Sequence, residues 1–471
     1  MSANQGEVTM PPVPDVGGWC GLVDAISQEL PAAYPERATP GAQRLTWQSS
    51  GLASLTRDSQ SQHFQPTEPC IGRLENLGQM APVAVGPLQL LAERSLLAGL
   101  RGRPTVDGVA QSVGGTAWML PALDGWFCLN LARHEDARSL SALLDTQVDH
   151  RDWSEVIALT ATRTIADLDE RARLLGLPAA RVPPAPIGAE GSRPVDPQIK
   201  ARHGDGLDAP FVVTDFGPTS NALSGPRGRP LLVVDLTSLW AGPLCGSLLA
   251  AVGCRVIKVE GRQRPDGARS GPRAFFDLMN GGKETVALDF ADPEDRRVLD
   301  ALLASADVVL ESSRPRVMAG LGIDPADQVR RTGGCWVSIT AYGRTGPWSN
   351  RVGFGDDVAG AAGVVVRSST AESAPEGFVG DAIADPIGGL VAAVGAWHAL
   401  TTGRSAVIDV ALREALGFIW GTTSLSPIPR GGQDRVLRAR PSTAAAAFDA
   451  HGQDIRREFA GQLGPPKGVQ P

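Results

Sequence analysis

Asp385 stands directly before Pro386-Ile387-Gly388-Gly389 and a long apolar stretch, the pattern of a carboxylate at the start of a helix. There it meets free backbone amides and the positive end of the helix dipole. On its pattern alone, a carboxylate so placed reads as an ordinary helix cap. Gly388 and Gly389 allow close approach at this helix, as two packed helices need. Asp356 and Asp357 form an acidic pair that reads as turn residues or as a base. His398 falls inside the helix that follows Asp385 and reads as packed or solvated. The six cysteines (Cys20, Cys70, Cys128, Cys245, Cys254 and Cys335) are scattered without a C-x-x-C pair, so neither a metal site nor a disulfide framework is expected.

The elements that position these residues can be read from patterning. Leu231 to Leu236 is an apolar run suited to a strand buried on both faces. Trp240-Ala241-Gly242-Pro243 is then a tight turn into a helix carrying Leu244, Leu248 and Leu249, stopped at Gly253. Residues 255–260, 285–290, 307–311 and 335–340 read as further strands, and Asp292-Pro293-Glu294-Asp295 as a helix start with Val298, Leu299, Leu302 and Leu303 on its buried stripe. Strands alternating with helices predict an α/β fold, a parallel Rossmann-like sheet with helices on both faces, whose ligands bind beyond the carboxyl ends of the strands. No G-x-G-x-x-G follows the first strand and no Walker lysine loop exists, which argues against a dinucleotide-dependent oxidoreductase.

The 471 residues are 42% hydrophobic and 20% charged, ordinary globular usage, with a formal net charge of −7 that argues against a nucleic-acid binder. A run of about 18 apolar residues and a charged-then-apolar leader are both missing, so a chain without membrane spans, in the cytoplasm, is expected. Residues 1–18 read as a disordered lead and 19–183 as a first block. Residues 184–228, rich in proline and glycine, read as a linker, 229–422 as the main α/β domain, and 423–471 as a tail of uncertain fold.

Five segments of the main domain, in order, carry a resemblance. VVDLTSLWAGPLCGSLLAAVGCRVIKVEG (233–261), Asn280-Gly281-Gly282-Lys283 with Val286 to Asp289, ADVVLESSRPRVMAGLGID (306–324), ITAYGRTGPW (339–348) and GDAIADPIGGLVAAVGAWHAL (380–400) resemble the family III (CaiB/BaiF) CoA-transferases. Ser312 and Ser313 stand where the family has Asn-Phe, and Gly261 where some members carry a basic residue. Residues 124–144 and 152–182 resemble the family's small domain, so a smaller α+β domain over 113–183 precedes the large one, the reverse of the usual order. The chain thus resembles a rearranged or fused member. A faint repeat pairs 49–57 and 86–103 with 361–369 and 387–404, placing Ala84 opposite Asp385.

The resemblance implies a CoA-transferase acting between an acyl-CoA and a carboxylic acid, with Asp385 as nucleophile and Gly388 and Gly389 beside it. It implies that Ala241, Gly242, Asn280, Lys283 and Arg314 hold coenzyme A, a substrate rather than a permanent cofactor, that no metal is needed, and that the protein is a homodimer. The family's racemases use a histidine in the segment matching 353–357, where this chain has Phe354 at the nearest position, which disfavours racemisation. A silent CoA-binding partner subunit is the remaining alternative.

Overall fold

The protein is described by a computed structural model covering residues 18–27, 46–58, 62–83, 86–100, 105–133, 135–187, 196–204, 206–219, 229–367, 375–421, 423–428, 440 and 442–460. The predicted lead up to residue 17, Ala84 and Arg103 of the repeat, and parts of the linker and tail lie outside these residues.

A three-stranded antiparallel sheet is formed by β1 (Ala117–Ala122), β2 (Gly125–Asn130) and β3 (Ala179–Val182). Helices Leu140–Leu144, Trp153–Thr160 and Ile165–Leu175 cover one face, giving the smaller α+β unit. Thr164 starts the last of these as an N-cap, accepting from the Asp167 N–H.

The main sheet has seven strands: β4 (Val212–Pro218), β5 (Leu232–Leu236), β6 (Arg255–Gly261), β7 (Glu284–Leu288), β8 (Val308–Glu311), β9 (Cys335–Thr340) and β10 (Arg404–Ala411). Their order is β4-β10-β9-β8-β5-β6-β7, parallel throughout except for the antiparallel edge pair β4–β10. The predicted strands agree with β5 to β9. Edge strand β4 and helix Pro197–His203 fall within the stretch read as a linker. Prolines bound these elements: Pro197 sits in the helix's first turn and Pro218 ends the edge strand.

Five further helices frame the site: α1 (Pro87–Ala98), α2 (Ala241–Ala251), α3 (Pro293–Ser305), α4 (Gly355–Ala361) and α5 (Ala384–Thr402). Strand alternation divides the core. Val234, Ile257, Val286 and Val309 face Val298, Leu299 and Leu302 of α3, whereas Val233, Val256, Val308 and Val337 face Leu244 and Leu248 of α2 and the apolar side chains of α5. Helix α5 is apolar around nearly its whole girth because α2, β10 and the first block surround it. Residues of the first block, Leu52, Leu74 and Leu90 among them, join this same core. Among the described residues no helix is long and apolar enough to cross a membrane.

Helices α2 and α5 meet backbone to side. A β-carbon on Gly389 would lie 2.5 Å from the Ala241 carbonyl oxygen, and one on Gly388 would lie 2.1 Å from Leu412 Cδ2. A backbone neighbour cannot swing away, so Gly389→Ala must push the helices apart. The expected cost is ~1–3 kcal/mol, read as a lowered urea midpoint with an unchanged slope.

Candidate functional site

The chain order of the parallel strands reverses between β5 and β8, and a crevice opens beyond their carboxyl ends at such a point. The Trp240–Gly242 turn follows β5 and the Ser312–Arg314 loop follows β8. Leu239 in the first turn has φ 72°, and Ala382, just before α5, has φ 45°. Left-handed backbone at non-glycine residues costs ~1–2 kcal/mol each and is held by surrounding bonds. The Leu239 N–H donates to Asp266 Oδ1 at 3.0 Å, and the Ala382 N–H donates to Asp356 Oδ1 at 2.9 Å.

Four carboxylates gather where α4 and α5 begin. Asp356, Asp357 and Asp381 are buried, whereas Asp385 keeps part of its surface accessible. Asp385 lies in the first turn of α5 rather than at its cap, and its carboxylate accepts from the Gly355 N–H. Enclosure pushes its pKa up to about 7; the Arg94 charge opposes the rise and Asp356 adds to it. Asp356 is raised to about 6, first by burial and then by Asp381. Asp357 is raised to about 8 by burial, although Asn130 Nδ2 donates to it at 2.8 Å and the Phe354 N–H at 2.9 Å. Asp356 and Asp357 are therefore buried groups in the first turn of α4, not residues of a loop turn as one of the two sequence readings had it.

Asp381 is held by a forked pair with Arg94, Nη2 to Oδ1 at 2.6 Å and Nε to Oδ2 at 3.0 Å, and by Ser95 Oγ at 2.7 Å. Arg94 and Ser95 come from α1 in the first block and Asn130 from β2 of the small unit, so distant parts of the chain meet at the starts of α4 and α5. Sequence reasoning missed Arg94, Ser95, Asn130 and Asp381. Asn130 and Asp381 lie inside segments that resemble the family but carry no role there, and Arg94 and Asp381 are joined only by the fold.

The residues expected to hold coenzyme A divide into two groups. Lys283 is fully buried: Nζ bonds Asp235 Oδ2 at 2.8 Å, the Pro243 carbonyl at 2.9 Å and Asn280 Oδ1 at 3.2 Å. These three acceptors match its three donors, so Lys283 and Asn280 anchor the turn before α2 from beneath. Lys258 reinforces it, bonding Asp266 at 2.8 Å and the Thr237 carbonyl at 2.9 Å. Ala241 and Gly242 occupy the first turn of α2, and a β-carbon on Gly242 would strike the Thr237 side chain at 2.2 Å. Gly388 and Gly389 lie beyond the first free amides of α5 and serve its packing.

Arg314 instead faces a cavity of about 330 Å3 between the small unit and the sheet loops, which Arg133, Arg173, Arg316 and Arg351 also line. Arg133, Arg173 and Arg351 are paired with Asp136, Glu170 and Asp169. Partial burial, then the like charges of Arg316, Arg133 and Arg264, hold the Arg314 pKa below its usual value, the electrostatics of a place that an anion relieves. His398 is buried against the Trp19 ring at 4.8 Å, and burial lowers its pKa to about 4. Cys20 is exposed and the other five cysteines are buried; all six are free thiols. Among the described residues no cluster of metal-ligating side chains occurs.

The chain is similar to known proteins over its main domain. Residues 230–452 match the family model of CoA-transferase family III. An acetyl-CoA:oxalate CoA-transferase of Acetobacter aceti is 29% identical over 229 residues, covering 44% of this chain and 59% of the relative. A succinate–glutarate CoA-transferase of Agrobacterium fabrum is 29% identical over 237 residues, covering 46% and 58%. Human alpha-methylacyl-CoA racemase is 30% identical over 213 residues, covering 42% and 53%. A crystal structure of a CAIB/BAIF family protein from Brucella suis aligns at 29% identity with a TM-score of 0.37, covering 42% of this chain and 55% of that one. The matched stretch, 230–452, carries Asp385 and six of the seven strands of the main sheet, and is similar to CoA-transferase family III. The chain spans between about half and three fifths of the length of these relatives.

Two measurements check the site's electrostatics. Lys283→Ala leaves Asp235 buried without its cation and is expected to cost ~3–5 kcal/mol in denaturant unfolding, a loss that a solvated phosphate ligand would not give. The raised carboxylates bind more protons folded than unfolded, so their contribution is fully present below about pH 4 and is lost as pH rises through about 6 to 8. Asp357→Asn should therefore flatten the fall in stability between pH 6 and 8, measured as urea midpoint against pH.

Proposed function

We propose that the protein transfers CoA from an acyl-CoA to a carboxylic acid, with Asp385 as the nucleophile. The observation that carries this reading is that Asp385 alone of the four clustered carboxylates retains accessible surface, in the segment that matches the family. An Asp385 oxygen attacks the thioester carbonyl and expels CoA thiolate, leaving a mixed anhydride. The thiolate then attacks the Asp385 carbonyl, releasing the donor acid and forming an aspartyl-CoA thioester. The acceptor carboxylate attacks that thioester, the thiolate leaves again, and its attack on the acceptor's acyl carbon yields the new acyl-CoA and free Asp385.

The Gly355 N–H, already directed at the Asp385 carboxylate, is suited to steady negative charge on its oxygens. In the same reading Arg314 and Arg316 receive phosphate groups of coenzyme A in the arginine-lined cavity, and the Ala241–Gly242 turn, braced by Lys283 and Asn280, borders the pantetheine arm. The active form is proposed to be a homodimer. The match to a racemase supports a second reading, proton exchange at the acyl α-carbon with Asp385 as one base.

Full-length protein incubated with acetyl-CoA or succinyl-CoA and quenched with borohydride or hydroxylamine should carry a modification at Asp385, located by peptide mass spectrometry. Asp385→Ala should lose transfer by at least ~100-fold, the scale of removing a covalent catalyst's nucleophile. Intact turnover in that variant would exclude the nucleophile. Deuterium uptake at the α-carbon without CoA exchange would favour the racemase reading.

A further inference from the structure

Arg94 belongs to none of the segments that resemble the family, yet it is fixed on three sides beside Asp385. Its fork grips Asp381, four residues before Asp385. Its guanidinium carbon lies 5.5 Å from the centre of the Trp240 ring, at the turn that opens α2. Gly114 leaves room for it, since a β-carbon there would come within 2.6 Å of Nη2. The same guanidinium is felt by Asp356 and Asp385 as well as Asp381.

We propose that Arg94, supplied by the first block, is a positioning residue for Asp385, locking the loop that starts α5 and setting a fixed positive charge among its carboxylates. The inference rests on the reading of Asp385 as the nucleophile. Asp381 is fully buried, so without the fork an unpaired carboxylate would stand in the loop that carries Ala382 in its left-handed conformation. The charged groups facing Asp385 are Arg94 from α1, Asp356 from α4 and Asp381 from the loop, with the Gly355 N–H completing its surroundings. Removing the cation leaves carboxylates facing one another, which favours protonated Asp385, a poor nucleophile. Lysine keeps the charge but cannot make the two-pronged contact.

The test is a titration of the full chain labelled with 13C at aspartate carboxyls, Asp385 being assigned by comparison with Asp385→Asn. The Asp385 midpoint should rise by a unit or more in Arg94→Gln, rise less in Arg94→Lys, and fall in Asp381→Asn, where a neighbouring negative charge is gone. An unmoved midpoint in folded Arg94→Gln overturns the proposal. If that variant does not fold, an unmoved midpoint in both Arg94→Lys and Asp381→Asn overturns it. Where acetyl-CoA labels Asp385 in the native protein, Arg94→Gln should lose at least ~5-fold of the transfer rate at pH 7, since a one-unit rise from about 7 cuts the ionised fraction from about a half to about a tenth, and recover toward pH 9. Absence of labelling in the native protein would sink the nucleophile reading while leaving the titration to decide the role of Arg94.

Discussion

Asp356, Asp357, Asp381 and Asp385 crowd around the start of one helix, with Arg94 reaching in from a distant part of the chain. Crowded carboxylates cannot all ionise in an enclosed place, so protons are retained on some of them and the charge is shared unequally. Asp381 takes the fork of Arg94, Asp357 takes the Asn130 amide, and Asp356 takes the backbone of the loop. Asp385 is left with one backbone donor and an accessible edge. The packing of α4 and of the turn entering α5 depends on that division.

The same constraint explains why the first block and the small unit cannot be detached in thought from the sheet. Arg94 and Ser95 come from one, Asn130 from the other, and both blocks pack against α4 or α5. The Asp235–Lys283 and Lys258–Asp266 pairs sit under the turn that leads into α2. Buried pairs of this kind add little net stability but make alternative loop placements expensive. The starts of α2 and α5 are thus each held by buried charge pairs, lysines with aspartates under one and Arg94 with Asp381 beside the other.

Much of the fold was legible in the sequence. The apolar run at 231–236, the Asp292-Pro293 start and the alternation of strand and helix lead directly to β5 to β9 and α3, because a parallel strand buried on both faces and a capped helix leave local marks. Edge strand β4 left none. Val212 to Pro218 is mostly half-exposed, and its pairing with β10 spans nearly two hundred residues. Of the proposed site, Asp385 and Arg314 stood out by motif; Asp385 is half-buried and Arg314 lines the arginine-rich cavity. Lys283 stood out equally but points inward, since a motif fixes which residue is present and not which way its side chain turns.

The linear order of residues by itself determined the sheet's type, the helix that carries Asp385 and the resemblance of its flanking segments, since each depends on neighbours a few positions away. Which carboxylate stays accessible, which lysine is sealed and which arginine approaches were decided only by tertiary structure. Burial and charge pairing are set by whatever the chain brings into contact, and Arg94 and Asp381 meet across 287 positions through packing alone.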